Sequence, residues 1–110
     1  MAMLAIALPI LPGKKDMWMK EIIEKFTVTN KAETDAIREA AGVHERTFLQ
    51  ETPEGDVVIL TFEGDDPAAG WAHIMQSLPA EFASVVAEIH GIDVDAPPPP
   101  LPQLVYDSRA

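Results

Sequence analysis

MAMLAIALPIL, Met1 to Leu11, and VVILTF, Val57 to Phe62, decide how this chain folds. The first run has no charged side chain, and the second is apolar on both faces of any strand it forms. Strands that bury one face under helices and show apolar side chains on the other need a second cover. A chain of 110 residues has few elements left to supply it. A second copy is the economical lid, so we expect a symmetric dimer packed sheet against sheet.

Outward from the first run, Pro12-Gly13 ends the strand, and Trp18, Ile22, Ile23 and Phe26 then mark one face of a helix. Thr27 to Asn30 interrupts that pattern. Asn30 has the chemistry of an N-cap for a second helical piece, with Glu33 three residues on and Gly42 as its left-handed stop. The first connection is therefore two helices or one broken helix. From Val43 the period becomes two, with His44, Arg46, Phe48 and Gln50 on one face and Glu45, Thr47, Leu49 and Glu51 on the other. Thr52-Pro53-Glu54-Gly55 reads as a turn with a glycine bulge, which sets Thr47 opposite Thr61 and Phe48 opposite Leu60 in a hairpin.

Asp65-Asp66-Pro67 opens the next helix with an Asp cap and a first-turn Pro, Pro79 breaks it, and Phe82, Val85, Val86 and Ile89 form the apolar stripe of a further helix that Gly91 ends. Asp95 to Pro102 holds five prolines in eight residues and reads as a stiff arm, followed by Leu104-Val105-Tyr106 as a terminal strand candidate. The order strand, helices, strand, strand, helices, strand is the α+β, ferredoxin-like β-α-β-β-α-β sandwich, with its first and third strands central. Residues 1–95 form the domain and 96–110 the Pro-rich arm.

On this order, and on Leu11-Pro12-Gly13-Lys14, Leu49-Gln50-Glu51-Thr52-Pro53-Glu54-Gly55-Asp56, Asp65-Asp66-Pro67 and His90-Gly91-Ile92-Asp93, the chain resembles the dimeric α+β barrel superfamily and a bacterial group within it. The resemblance implies two sheets closed on each other, a ligand cleft between helices and sheet, and activities that include cofactor-free monooxygenation and haem breakdown. The haem-degrading members use an Asn, Trp and His set. Here the only Asn is Asn30, outside the expected position, which speaks against haem. The quoted strings are turns and caps, so they identify architecture rather than activity.

Charge narrows the partners. Residues 1–46 carry seven Lys or Arg and seven Asp or Glu, whereas Thr47 to Ser108 carries eleven acidic residues and no basic one, within a net charge of −10. Such a surface repels phosphate backbones and anionic lipid, so neither nucleic acid nor membrane is an expected partner. The absence of Cys excludes thiolate chemistry and suits a reducing cytoplasm, and the apolar opening is too short to span a bilayer and lacks the basic start of a signal.

Few residues are equipped for chemistry. His44 and His73 are the candidate bases, and Arg46, Phe48, Trp71 and His73 the candidate ligand contacts, with Arg46 able to hold an anionic or enolate-like group. Plainer roles compete with each of these. Trp71 and His73 lie ~200° apart on a helix, His73 serves equally as a half-exposed helix residue, and Arg46 equally pairs with Glu63. His90 reads as a cationic ring at a helix end. Glu63, Asp65 and Asp66 cap rather than coordinate, Asp93 and Asp95 lack a ligand set, and Gly13-Lys14-Lys15 is no phosphate loop, so no metal or cofactor is expected. Three readings follow. One is a dimeric barrel holding a small apolar or weakly anionic molecule; another is a cofactor-independent monooxygenase or isomerase; the third is a purely structural dimerisation module. A cleft below about 100 Å³ favours the third, because ordinary ligand pockets are several times larger.

Overall fold

The computed structural model describes residues 2–92 and 100–109 of the chain. It is an α+β protein in which a three-stranded antiparallel sheet carries four α-helices on one face. The strands are β1 (Ala2–Ile10), β2 (Val43–Thr52) and β3 (Gly55–Gly64), in the order β1-β3-β2. Between β1 and β2 come α1 (Lys15–Trp18), two π-helical stretches (Met19–Ile23 and Lys25–Thr29) and α2 (Lys31–Ala41); after β3 come α3 (Pro67–Gln76) and α4 (Ala80–His90).

Alternation along β1 and β3 builds the core. Leu4, Ile6, Leu8 and Ile10 of β1 lie beside Phe62, Leu60, Val58 and Asp56 of β3 and point to the helices. Val58 and Phe62 are almost fully enclosed. Ile10 and Val58 pack with Trp18, Ile22 and Ile89, while Leu4, Ile6 and Phe62 pack with Ile74; Leu8 and Leu60 touch both clusters and make them continuous. Trp71 lies tilted against Phe62, ring centres 5.3 Å apart.

The broken first connection has a local cause. Thr27 turns its hydroxyl back to donate to the Ile23 carbonyl at 2.8 Å, and the Asn30 N–H reaches the Lys25 carbonyl five residues back at 2.7 Å. A side chain competing for the Ile23 carbonyl disfavours the ordinary four-residue ladder there, in keeping with the π-helical turns around it. Asn30 occupies the N-cap position of α2, but its side chain makes no capping bond. Gly42 and Gly91 end their helices in left-handed conformation, and Asp66 caps α3 by accepting from the Ala69 N–H at 3.1 Å, with Pro67 in the first turn.

Three expectations are corrected. Thr47 lies opposite Leu60 and Phe48 opposite Ile59, because Thr52 pairs directly with Gly55 and no bulge residue is spent at the hairpin tip. That slip of one residue aligns Phe48 with Ile59 on the face away from the helices. Leu104-Val105-Tyr106 is not a strand and is exposed. In consequence β1, expected to be central, is an edge strand among the described residues, and only β3 is paired on both sides. The stiff arm expected over Asp95 to Pro102 lies mostly outside the described residues, as do Asp93 and Asp95.

The start of α2's exit is held close to the end of β3. A Cβ built on Gly64 overlaps the Gly42 carbonyl oxygen, which is backbone and cannot swing aside. Gly64→Ala is expected to destabilise the fold by about 2 kcal/mol, whereas Gly13→Ala, where the added Cβ meets nothing within 4 Å and only the positive φ of 79° is strained, costs about 1 kcal/mol. Urea unfolding of the two variants measures the difference.

Candidate functional site

The sheet has two chemically distinct faces, and the candidate residues are divided between them. The helix-facing side carries Val43, Glu45, Thr47, Leu49 and Glu51 of β2 in line with Gly64, Phe62, Leu60, Val58 and Asp56 of β3. The other side carries His44, Arg46, Phe48 and Gln50 beside Glu63, Thr61, Ile59 and Val57, with Met3, Ala5, Ala7 and Pro9 of β1 completing it. No described helix covers that side. Met3 and Phe48 are half exposed upon it.

Between helices and sheet lies an apolar cleft of about 80 Å³, walled by Leu8, Ile22, Phe26, Leu60, Trp71 and Phe82 among others. Phe26 stacks on Phe82, ring centres 5.6 Å apart, and the Arg38 guanidinium lies over the Phe26 ring, 4.8 Å from its centre. Arg38 Nε donates to Glu45 Oε1 at 2.7 Å, and Thr47 Oγ1 donates to Glu45 Oε2 at 3.1 Å. The side chains of this ion pair are only 16% and 10% exposed. They also border a wider, solvent-open groove of about 660 Å³ lined by Thr27, Thr34, Asp35, Glu39 and His44. The pair therefore stands as a polar wall between the groove and the apolar cleft.

His90 is the one histidine in the wall of that cleft. Although it ends a helix, its ring is buried and not a solvated cap, and Nδ1–H donates to the Pro9 carbonyl at 2.7 Å. The bond sets the neutral tautomer, with the lone pair on Nε2. Burial among apolar side chains holds its pKa below the usual histidine value, against the smaller upward pull of the Pro9 carbonyl. The neighbouring Leu11 N–H donates to the Ile89 carbonyl at 2.8 Å, so the end of α4 is tied to the end of β1 twice.

The sequence candidates do not converge. Arg46 and Phe48 lie on the uncovered sheet face, and Arg46 pairs with Glu63 at 3.5 Å. Trp71 lines the cleft, while His73 is exposed, its carbonyl accepting from the Ser77 hydroxyl. His44 is exposed at the margin of the groove. Arg38, Glu45, Thr47 and His90 bring the charged and hydrogen-bonding side chains to the cleft wall, and the sequence alone gave none of them a role there. The available signal was Glu45 on the Leu49 face of β2, together with an Arg in the last turn of α2 immediately before that strand.

Among the described residues no group of three or more His, Asp or Glu is placed to hold a metal ion, and no helix is long and apolar enough to cross a membrane. No family model, curated protein or solved structure matches the chain.

Two outcomes are expected. Glu45→Ala strands a largely desolvated guanidinium and lowers the unfolding free energy by about 2–3 kcal/mol, more than the double replacement Arg38→Met with Glu45→Met, which removes both charges. Denaturant titration of the three chains checks the ranking. For His90, the unfolded ring, at its ordinary value of 6.5, binds protons more readily than the folded one. Its contribution is thus complete above that value and is lost as the pH falls through it. The denaturation midpoint of His90→Gln is expected to fall less than that of the unaltered chain between about pH 7.5 and about pH 5.5.

Proposed function

We propose that this protein is a homodimerising α+β module in which two copies pack sheet against sheet, and that the space between helices and sheet serves as core and not as a working ligand pocket. The observation that carries the reading is the uncovered sheet face. Its apolar residues, Ala5, Ala7, Phe48, Val57 and Ile59, form a patch that crosses all three strands and reaches the outer edge of β1, and His44, Arg46, Gln50, Thr61 and Glu63 border it on β2 and β3. A contiguous apolar patch bordered by polar residues is the composition of a protein interface. That border bears both signs of charge, which suits a surface that matches itself.

The order β1-β3-β2 is also the ferredoxin-like arrangement without its fourth strand. This supports the dimeric α+β barrel as the form such a pair takes.

The cleft argues against a resident small molecule of ordinary size. Its volume of about 80 Å³ compares with ~300 Å³ or more for typical ligand sites. His73 lies outside both spaces and His44 lines only the solvent-open groove, so neither stands in a water-excluding pocket of the kind a monooxygenase or isomerase base uses. A small apolar or weakly anionic ligand would have to part the Arg38–Glu45 pair to enter from the groove.

Ile59→Asp places a charge at the centre of the face and is expected to raise the dimer Kd at least about 100-fold, read by sedimentation velocity. Native mass spectrometry of freshly purified protein should show a dimer free of retained small molecules. Bare monomer at micromolar concentration refutes the dimer, and a stoichiometric bound molecule refutes the closed core.

A further inference from the structure

Resting on the sheet-to-sheet dimer, we propose that the outer edge of β1 accepts Leu104-Val105-Tyr106 of the second copy as an added strand, so that each protomer's tail completes its partner's sheet.

The edge is open over a defined length. Pro9 has no N–H, and its carbonyl is taken by His90, so the backbone groups of Pro9 point away from β3. The pairing of β1 with β3 runs without interruption from Ala2 to Ile10. Period two then turns the N–H and C=O groups of Ala7, Ala5 and Met3 to the same outer side. His90 closes one end of this ladder, and among the described residues no strand pairs with the rest. Native sheets rarely leave such an edge long, flat and apolar, and β1 has no charge to protect it.

The tail is the matching part. Leu104, Val105 and Tyr106 are 66%, 88% and 79% exposed, and all three are apolar or aromatic. Leu101 to Tyr106 carries no charge in a chain of net −10, so this segment and the β1 edge meet without the repulsion that most of the surface would impose. The described tail leaves its own β1 unpaired.

The sheet face is only three strands wide, and a strand added at its β1 edge widens it by about 5 Å, the spacing between paired strands. The side chains of Met3, Ala5 and Ala7 belong to the sheet face while their backbones form the edge. A strand added there extends the same interface.

The test uses the full chain, which contains no Cys. Val105→Pro removes a backbone donor from an exposed segment, so it should raise the dimer Kd about tenfold, with the unfolding midpoint of the monomer, read well below the Kd, unchanged. In parallel, a chain with Ala5→Cys is mixed with chains carrying Leu104→Cys, Val105→Cys or Tyr106→Cys and oxidised; a mixed disulfide is expected for at least one pair. An unchanged Kd and no mixed disulfide overturn the proposal, as does preferential closure within one chain in a doubly substituted Ala5→Cys, Val105→Cys protein at concentrations well above the dimer Kd. If Ile59→Asp yields monomers while Val105→Pro has no effect, the edge pairing fails and the sheet-face dimer stands. If Val105→Pro yields monomers while Ile59→Asp does not, the sheet-face reading fails, and this proposal with it.

Discussion

Everything in this molecule is arranged around β3, among the described residues the one strand paired along both sides. Its helix-facing residues Val58 and Phe62 are among the most completely buried side chains of the protein. Enclosing them requires helices from both halves of the chain, Trp18 and Ile22 from the first connection and Ile74 and Ile89 from the second. Because successive side chains on a strand point to opposite sides, burying Val58, Leu60 and Phe62 sends Val57 and Ile59 the other way. The uncovered apolar face is therefore a direct result of how the core is built.

Polar chemistry is sorted by the same alternation. Glu45, in phase with the buried residues, is carried under the helices, where Arg38 and Thr47 satisfy it. Arg46, one residue on, is carried to the opposite side and meets Glu63. Acid, base and cation come together at the solvent-open groove, where Arg38 is already held by Glu45 and His44 is exposed. The buried ring of His90 is held by the strand it seals, a role in keeping with structure more than with proton transfer.

Much of the architecture was legible because local rules govern it. The 18, 22, 23, 26 spacing, the Asp66-Pro67 helix start, the Gly42 and Gly91 stops and the hairpin all act within a few residues of themselves. What was missed depends on longer range. The hairpin register turned on whether Gly55 formed a bulge or paired, a choice of one residue that redirects Phe48. The role of His90 depends on a carbonyl 81 residues away in sequence, and no period or cap motif reports such a contact. The Arg38–Glu45 pair was half visible, since the faces of β2 were separated correctly but which face lay under the helices was not decided by the pattern of a strand in isolation.

The position of β1 also bears on how the chain is made. Synthesis delivers this uncharged strand well before β3, and the register joins Ala2 to Gly64, so its hydrogen-bonding partner emerges only after the helical connection and β2. At typical elongation rates, ~5–20 residues per second, a nascent chain spends several seconds with its most adhesive segment unsheltered. Crowded polysomes would bring such segments within reach of one another, and the burden of keeping them apart falls on chaperones or on the acidic repulsion that accumulates as the later half is translated.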